Sequence, residues 1–372
     1  MKILILTWKD IKNPLAGGAE IVTDELLKRL VAKNHNVTLL TSSFKEALSR
    51  EIINGYQVIR LGDIKTVYVK AFNYYRKFLN GKFDLVIDQI NTIPFFAKFY
   101  VKEKNIILIH QLAREVWFYE IFFPLNLIGY VLEPFYLRLL KDREVITFSE
   151  STKKDLLRCG FEDKKIHIIK EGIKIKSLQE LPKEEQIKEA SPTILFLGNI
   201  RPMKRPCHVI RAFEIAKKEI EDLKLWIVGM GKGRYFKRIL ELIKKSDYRK
   251  DIIYFGKVND EEKIKILQKV HLLCVTSVKE GWGLVVTEAN SQGTPAIVYN
   301  VDGLKDSVIN NQTGIICQKN NPQNLAENIK ILLKDKETYN FLRRNCWEWS
   351  KKINFDKSFD DFERIIYQVI KN

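Results

Sequence analysis

At 372 residues with 63 Lys and Arg against 46 Asp and Glu, the chain carries a formal charge of +17 and is long enough for two domains rather than one ordinary core. That charge attracts polyanions (nucleotide phosphates, nucleic acid, anionic lipid headgroups) without choosing among them, and a Lys- and Ile-rich composition produces basic chains with no such partner. No run of about 18 uncharged apolar residues suggests a spanning helix, and five scattered cysteines without a CxxC pair exclude a disulfide framework or zinc site and fit a reducing, cytoplasmic setting.

Strand and helix signals alternate from the start of the chain. Met1 to Leu6 turns polar too soon for a signal peptide and reads as a buried first strand, Ile3–Leu6. Glu20–Val31 has helical spacing through Ile21, Leu26, Leu27 and Leu30. Short apolar runs follow at Val37–Leu40, Val58–Leu61, Leu85–Ile87, Ile106–Ile109 and Val145–Phe148. From Lys174 to Ser191 the chain is polar and poor in large apolar groups, as a linker would be. A second strand series covers Thr193–Leu197, Leu223–Val228, Ile252–Phe255, Leu272–Val275, Ala296–Tyr299 and Ile315–Cys317. Helices are expected at His208–Lys218, Glu261–Gln268, Leu284–Ser291 and Pro322–Leu333, and the chain closes on an amphipathic helix near Lys357–Ile370. This alternation predicts α/β domains with parallel sheets, whose ligands bind in loops at the carboxyl ends of the strands. The domains are expected at 1–173 and 192–354, with a linker at 174–191 and a C-terminal helix from about 355.

The strongest chemical signal is Glu280-Gly281-Trp282-Gly283-Leu284-Val285-Val286-Thr287-Glu288, between a strand and a helix. The glycines permit close backbone approach. Helix-start amides near Gly283, Leu284 and Val285 would face an anion such as a diphosphate. Glu288, one turn inside the helix, suits ribose hydroxyls, and Glu280 suits the hydroxyls of a sugar. Trp282 is expected to line the site. The second signal is Gly198 to Arg205, just after strand Thr193–Leu197, where Lys204 and Arg205 could stabilise charge on a departing diphosphate. The third is Ala16-Gly17-Gly18-Ala19-Glu20, a glycine loop before the first helix that is not GxGxxG.

The Glu-x7-Glu block "EGWGLVVTEANSQGTP" resembles the donor-site signature of the retaining GT-B glycosyltransferases of family 4, the glycosyl transferases group 1 domain. "WKDIKNPLAGGAE", "FSESTKKDL", "LWIVGMGKG", "YFGKV" and "DGLKDSV" then "TGIIC" resemble further segments of that family, in its order. The resemblance implies two Rossmann-like domains facing a central cleft, with the C-terminal helix returning to the N-terminal domain. It implies transfer of a sugar, with retention, from a nucleotide-sugar donor to a glycan or lipid-linked acceptor, without metal or other cofactor. It assigns Glu280, Lys204 and His110 to catalysis. Donor binding falls to Gly17, Gly18, Asn199, Arg205, Gly229, Trp282, Gly283, Leu284, Val285 and Glu288. Asn199 stands where the family often has an arginine, so Arg201 or Arg205 could take that role.

His110, after strand Ile106–Ile109, lies where the family has a His that contacts the donor sugar. Gln111, Arg114 and Glu115 could line the cleft beside it, and Asp88 and Asn91 follow their strand in the same manner. The aromatic stretch Trp117–Leu140, interrupted by Pro124 and Pro134, has two readings. One is core and acceptor-pocket wall; the other is an interfacial segment holding a basic enzyme on the cytosolic face of an anionic membrane. Two rival functions compete with sugar transfer. A glycoside hydrolase would also use two carboxylates but leaves the glycines and the Lys204-Arg205 pair unexplained. A non-catalytic nucleotide-sugar or nucleic-acid binder would explain the charge, yet the basic residues are spread along the chain with no nucleic-acid motif, and no nucleic-acid partner is expected.

Overall fold

A computed structural model describes residues 1–371. The chain divides into two compact units. The first comprises Met1–Arg114, Ile128–Lys174 and the segment from Phe355; the second comprises Glu115–Leu127 and Ile175–Asn354.

Among the described residues, the first unit has eight strands: β1 Lys2–Leu6, β2 Asn36–Thr41, β3 Arg50–Ile53, β4 Tyr56–Arg60, β5 Leu85–Ile90, β6 Lys104–Ile109, β7 Val145–Thr147 and β8 Ile166–Ile168. Their order is β3-β4-β2-β1-β5-β6-β7-β8, parallel throughout except for the antiparallel pair β3–β4. Ile3–Leu6 and all of β5 are buried on both faces, which is why they read as unbroken apolar runs rather than alternating ones. The β3–β4 hairpin turns on Asn54 and Gly55, both at positive φ (48° and 89°), the conformation such tight turns demand. Helix Gly18–Ala32 buries Val22, Leu26, Leu27 and Leu30. The C-terminal helix, Phe355–Lys371, buries Phe359, Phe362, Ile365, Ile366 and Val369 in this same unit. Its start is fixed by Ser358 Oγ donating to the Lys170 carbonyl and by Arg29 Nη2 pairing with Asp356 at 3.0 Å. Gly172 has no room for a side chain there: a Cβ would lie 2.4 Å from the Phe355 nitrogen.

The second unit has six described strands: β9 Thr193–Leu197, β10 Lys224–Val228, β11 Ile252–Gly256, β12 Leu272–Val275, β13 Ala296–Val298 and β14 Gly314–Ile316. All pairings are parallel, in the order β11-β10-β9-β12-β13-β14. This is the topology in which the loops after β9, β10 and β12 gather at one edge of the sheet.

Two stretches differ from the sequence reading. Residues 175–191 pack as part of the second unit: Leu178 N donates to the Ser291 carbonyl at 3.0 Å, and half-buried Lys188 donates to Val270 O and Thr294 Oγ1 at 2.7 and 2.6 Å. Burial drives the Lys188 ammonium well below its ordinary pKa, with Arg343 adding to the shift. Much of 174–191 is exposed, Lys174, Lys176, Gln179, Glu180, Lys183, Glu185 and Gln186 among it, while these hydrogen bonds fasten it to the second unit. Residues 115–127 group with the second unit, not the first, and the chain from Leu125 to Arg138 is a helix that runs through Pro134.

Candidate active site

In the second unit the loops after β9 and β12 are bolted together. Lys204 closes a short 3₁₀ turn, Pro202–Lys204, and its Nζ forms an ion pair with Glu280 Oε1. Ser277 Oγ donates to the same carboxylate oxygen at 2.5 Å. Both partners are mostly covered, with side chains 21% and 13% exposed. The two glutamate and lysine positions that the sequence singled out, 76 residues apart, are therefore in direct contact.

The backbone explains how they are held. Thr276 Oγ1, at the end of β12, sits 2.9 and 3.0 Å from the Lys204 and Arg205 carbonyls. Arg205 Nε and Nη2 donate to the Thr276 and Ser277 carbonyls at 2.6 and 2.7 Å, and Val278 N donates to Met203 O at 2.8 Å. Arg205 is itself at φ 49° and lies over the Tyr299 ring at 5.0 Å. Burial pulls its guanidinium below the usual pKa. Two of its donor groups are thus taken by the loop, which makes it a strut for Lys204 and Glu280.

On the far side of Glu280, its amide donates to Asp302 O at 3.0 Å. Gly303 approaches so closely that a Cβ would lie 2.1 Å from the Glu280 carbonyl oxygen. Asp302 ties in Lys279 and Lys305, each at 2.7 Å. Burial alone would raise its pKa, but hydrogen bonds and charge from the two lysines hold it at about 2.

Helix Leu284–Ser291 begins at Gly283, whose φ of 98° favours glycine, and no side chain caps it. Its first amides, on half-buried Leu284 and Val285, are the free donors that make a helix start attractive to anions. Glu288 lies one turn further on, 7% exposed, and accepts from Lys263 Nζ at 2.8 Å. Trp282, expected in the site, is 5% exposed, donates its indole N–H to Thr287 Oγ1 at 2.9 Å and stacks on Trp349, contacts that anchor the helix start. Gly229 too has a structural requirement: a Cβ would lie 1.9 Å from Gly198 O, where the loops after β9 and β10 cross. Asn199, beside that crossing, is exposed. Arg201 is held by Glu120 at 3.8 Å and donates to Met203 Sδ.

The first unit carries the other predicted residues. His110, at the carboxyl end of β6, is 7% exposed and stacked on Phe148 with centroids 4.4 Å apart. Its Nδ1 is 3.0 Å from Glu171 Oε1 and its Nε2 is 3.4 Å from Gln89. Gly17 precedes helix Gly18–Ala32, and its amide donates to Glu20 Oε2 at 2.6 Å. The other Glu20 oxygen meets Trp8 Nε1 and Lys9 Nζ, both at 3.3 Å, fastening the glycine loop to the loop after β1. Asp88 is inside β5 and fully buried, accepting from the amides of Phe95 and Ala97 at 3.0 Å. Burial pushes its pKa up to about 6. It fixes a loop and does not line a site. Asn91 Nδ2 lies 3.4 Å from Thr7 Oγ1.

Glu171, Ser277, Lys263 and Asp302 were not singled out in the sequence. Glu171 and Lys263 meet partners 61 and 25 residues away, which no spacing could reveal, whereas Ser277 lies three residues before Glu280 and Asp302 three before Lys305, spacings too common to mark a site. Among the described residues no group of three or more His, Cys, Asp or Glu is arranged to hold a metal ion.

Two family models match nearly the whole chain: Glycosyltransferase Family 4 over residues 16–177 and Glycosyl transferases group 1 over residues 178–349. The chain is 29% identical over 202 residues to N-acetyl-alpha-D-glucosaminyl L-malate synthase of Bacillus anthracis, an alignment covering 53% of this chain and 51% of that one; it spans about half the length of this relative. In fold it is similar to sucrose-phosphate synthase from Thermosynechococcus elongatus, with a TM-score of 0.80, 18% identity, and coverage of 100% of this chain and 99% of the other. It is also similar to HepE of Anabaena in complex with UDP and glucose, with a TM-score of 0.75, 16% identity, and coverage of 99% and 100%. These matches do not favour the hydrolase or the polyanion-binding reading. The chain belongs to the family 4 glycosyltransferases of the GT-B fold, enzymes that move a sugar from a nucleotide-sugar donor to an acceptor.

Proposed function

We propose that the second unit holds the donor through Lys204, the amides at the start of helix Leu284–Ser291, Glu280 and Glu288, and that transfer proceeds with retention and without a metal ion. The observation that carries this reading is the Lys204–Glu280 ion pair beside an uncapped helix start. When the donor binds, Lys204 exchanges Glu280 for oxygens of the diphosphate, and Glu280 turns to hydroxyls of the sugar. Glu288 accepts from ribose hydroxyls, with Lys263 orienting it.

As the glycosyl–oxygen bond breaks, negative charge grows on the diphosphate. A fixed cation and unpaired amides in a partly dry site stabilise that charge more than they stabilise the intact donor, which lowers the barrier. The acceptor hydroxyl attacks from the face the diphosphate leaves and passes its proton to a phosphate oxygen. Configuration is thereby kept, with no covalent enzyme intermediate. His110, oriented by Glu171, belongs on this reading to the group that contacts the sugar, and the Gly17-Gly18 loop to the acceptor side. The acceptor is a hydroxyl of a glycan or a lipid-linked sugar, and no nucleic acid takes part.

The Anabaena neighbour's complex makes UDP-sugars the first donors to test. The experiment is calorimetric titration of UDP, GDP, ADP and their sugars, followed by turnover with and without EDTA and assignment of the product anomer by NMR. Binding of one nucleotide-sugar, EDTA-insensitive turnover and a retained anomer support the proposal. Inversion, or activity abolished by EDTA and restored by a divalent cation, defeats the corresponding part.

A further inference from the structure

Glu120 reaches the Lys204 loop from a distant part of the sequence. It ends the short helix Trp117–Glu120, in the stretch Glu115–Leu127 that groups with the second unit although the chain on either side belongs to the first. Buried Trp117 anchors this stretch, and the helix packs on the 3₁₀ turn Pro202–Lys204. Tyr119 lies within electrostatic range of Arg205. Glu120 Oε1 faces two donors at that turn: the Met203 amide at 3.3 Å and Arg201 Nε at 3.8 Å. A diphosphate is stabilised by cations and amides, yet here a carboxylate holds one cation of the very turn that carries Lys204. Glu280 has a second task once Lys204 turns to the donor, the hydroxyls of the sugar. Glu120 has none on that reading, so its effect falls on Arg201.

On the donor reading above, on which this depends, we propose that Glu120 competes with the diphosphate for Arg201. In the free protein Glu120 holds the guanidinium. The bound diphosphate takes it over, and once the sugar has been transferred Glu120 recaptures it and speeds departure of the nucleoside diphosphate. Glu120 acts through Arg201, not on the substrate. The geometry suits exchange rather than a lock. The Arg201 and Glu120 side chains are 45% and 27% exposed and 3.8 Å apart, so the pair is worth about a fivefold factor at most. Apparent affinity for the nucleotide falls with the fraction of molecules in which Arg201 is free to meet it. Arg205, with Nε and Nη2 fixed on loop carbonyls, offers no such exchange. Product release limits turnover in many enzymes, which gives a weak competing contact a use.

The test titrates UDP, GDP and ADP calorimetrically into the full chain and into Glu120→Gln, Arg201→Gln and the double variant, with a thermal melt of each. Gln at position 120 keeps an oxygen for the Met203 amide and removes only the charge. With the nucleotide that binds the wild type, Glu120→Gln should tighten binding about three- to sixfold and slow nucleotide dissociation, read by stopped flow, by a similar factor at an unchanged melt. Arg201→Gln should weaken binding, and adding Glu120→Gln to it should gain less than about twofold. A merely structural Glu120 would move affinity the other way, together with the melt. Wild-type binding with no tightening in Glu120→Gln overturns the proposal and leaves the donor reading standing. A gain of the same size with and without Arg201 overturns it as well, because the carboxylate then acts by repulsion alone. If no nucleotide binds the wild type or any variant, the donor reading falls and the competition falls with it.

Discussion

Replacing Lys204 with Ala removes the cation on which the donor reading depends, and the structure says what else it removes. Its Nζ meets Glu280 in a pair whose side chains are 21% and 13% exposed. A pair so near solvent contributes about 0–1 kcal/mol to stability. Glu280 also keeps Ser277 Oγ at 2.5 Å, so the truncation does not strand a carboxylate. The melting temperature should fall by a few degrees at most. Catalysis should respond on another scale. A fixed donor aimed at charge that grows in the transition state is worth roughly 10²–10³ in turnover, about 3–4 kcal/mol. The measurement is single-turnover release of nucleoside diphosphate from the nucleotide-sugar that binds, with KM and kcat resolved and a thermal melt on the same preparation. Lys204→Arg, which keeps the charge but changes its reach, should recover part of the loss. A Lys204→Ala enzyme whose kcat stays within about threefold of wild type, at unchanged KM, would refute the assignment. A kcat lost together with the melting transition would instead assign Lys204 to folding.

Glu288→Gln should weaken nucleotide affinity by about tenfold, because a neutral acceptor holds ribose hydroxyls less firmly and Lys263 loses its carboxylate; calorimetry reads the change. Gly229→Ala should cost roughly 3 kcal/mol or more and lower the melting temperature sharply, since its Cβ would lie 1.9 Å from Gly198 O. Asp88 governs a pH window. Its folded pKa of about 6 lies above the ordinary 3.8 because burial disfavours the charged form, so the protonated carboxyl is the one the fold prefers. Its ionisation therefore costs nothing below about pH 4 and erodes stability as pH climbs to about 6, by roughly 2–3 kcal/mol. Urea melts of Asp88→Asn across that range should show the slope removed, and an unchanged slope would contradict the burial argument.

Most of the fold was legible because parallel central strands are dry on both faces. Ile3–Leu6, Leu85–Ile87 and Thr193–Leu197 could hardly read as anything else. The edge strand Arg50–Ile53 escaped notice because half of it faces water, although Asn54-Gly55 after it was a usable hairpin signal. Helix Leu284–Ser291 was found from the glycines before it and the Gly293-Thr294-Pro295 stop after it, both local features. Contacts between distant positions were not legible. Trp282 was expected in the site through the resemblance; only its contacts with Trp349 and Thr287 in three dimensions show that it is buried. The polar stretch 174–191 suggested a linker or exposed connection, and composition could not distinguish a lysine in water from Lys188, which is half-buried and hydrogen-bonded to Val270 O and Thr294 Oγ1.

Asn199 stands where the resemblance leads one to expect an arginine, and the geometry divides the two candidates to replace it. Arg205 has Nε and Nη2 fixed on the Thr276 and Ser277 carbonyls, and the Thr276 hydroxyl reaches back to the Lys204 and Arg205 carbonyls. Freeing that guanidinium would break two charge-assisted hydrogen bonds and separate the loops that hold Lys204 against Glu280. Arg201 is held more loosely: its side chain is 45% exposed and its carboxylate partner, Glu120, is 3.8 Å away. A cation that must swing to a diphosphate does so at lower cost from the second environment than from the first. Arg201→Ala should therefore reduce turnover by about tenfold or more with a nearly unchanged melt. Arg205→Ala should lower stability by roughly 1–3 kcal/mol, with loss of activity following from the displaced loops. The decisive measurement sets kcat against the melting temperature for both variants. If Arg205→Ala melts like the wild type and alone loses turnover, Arg205 is the cation and the strut argument is wrong.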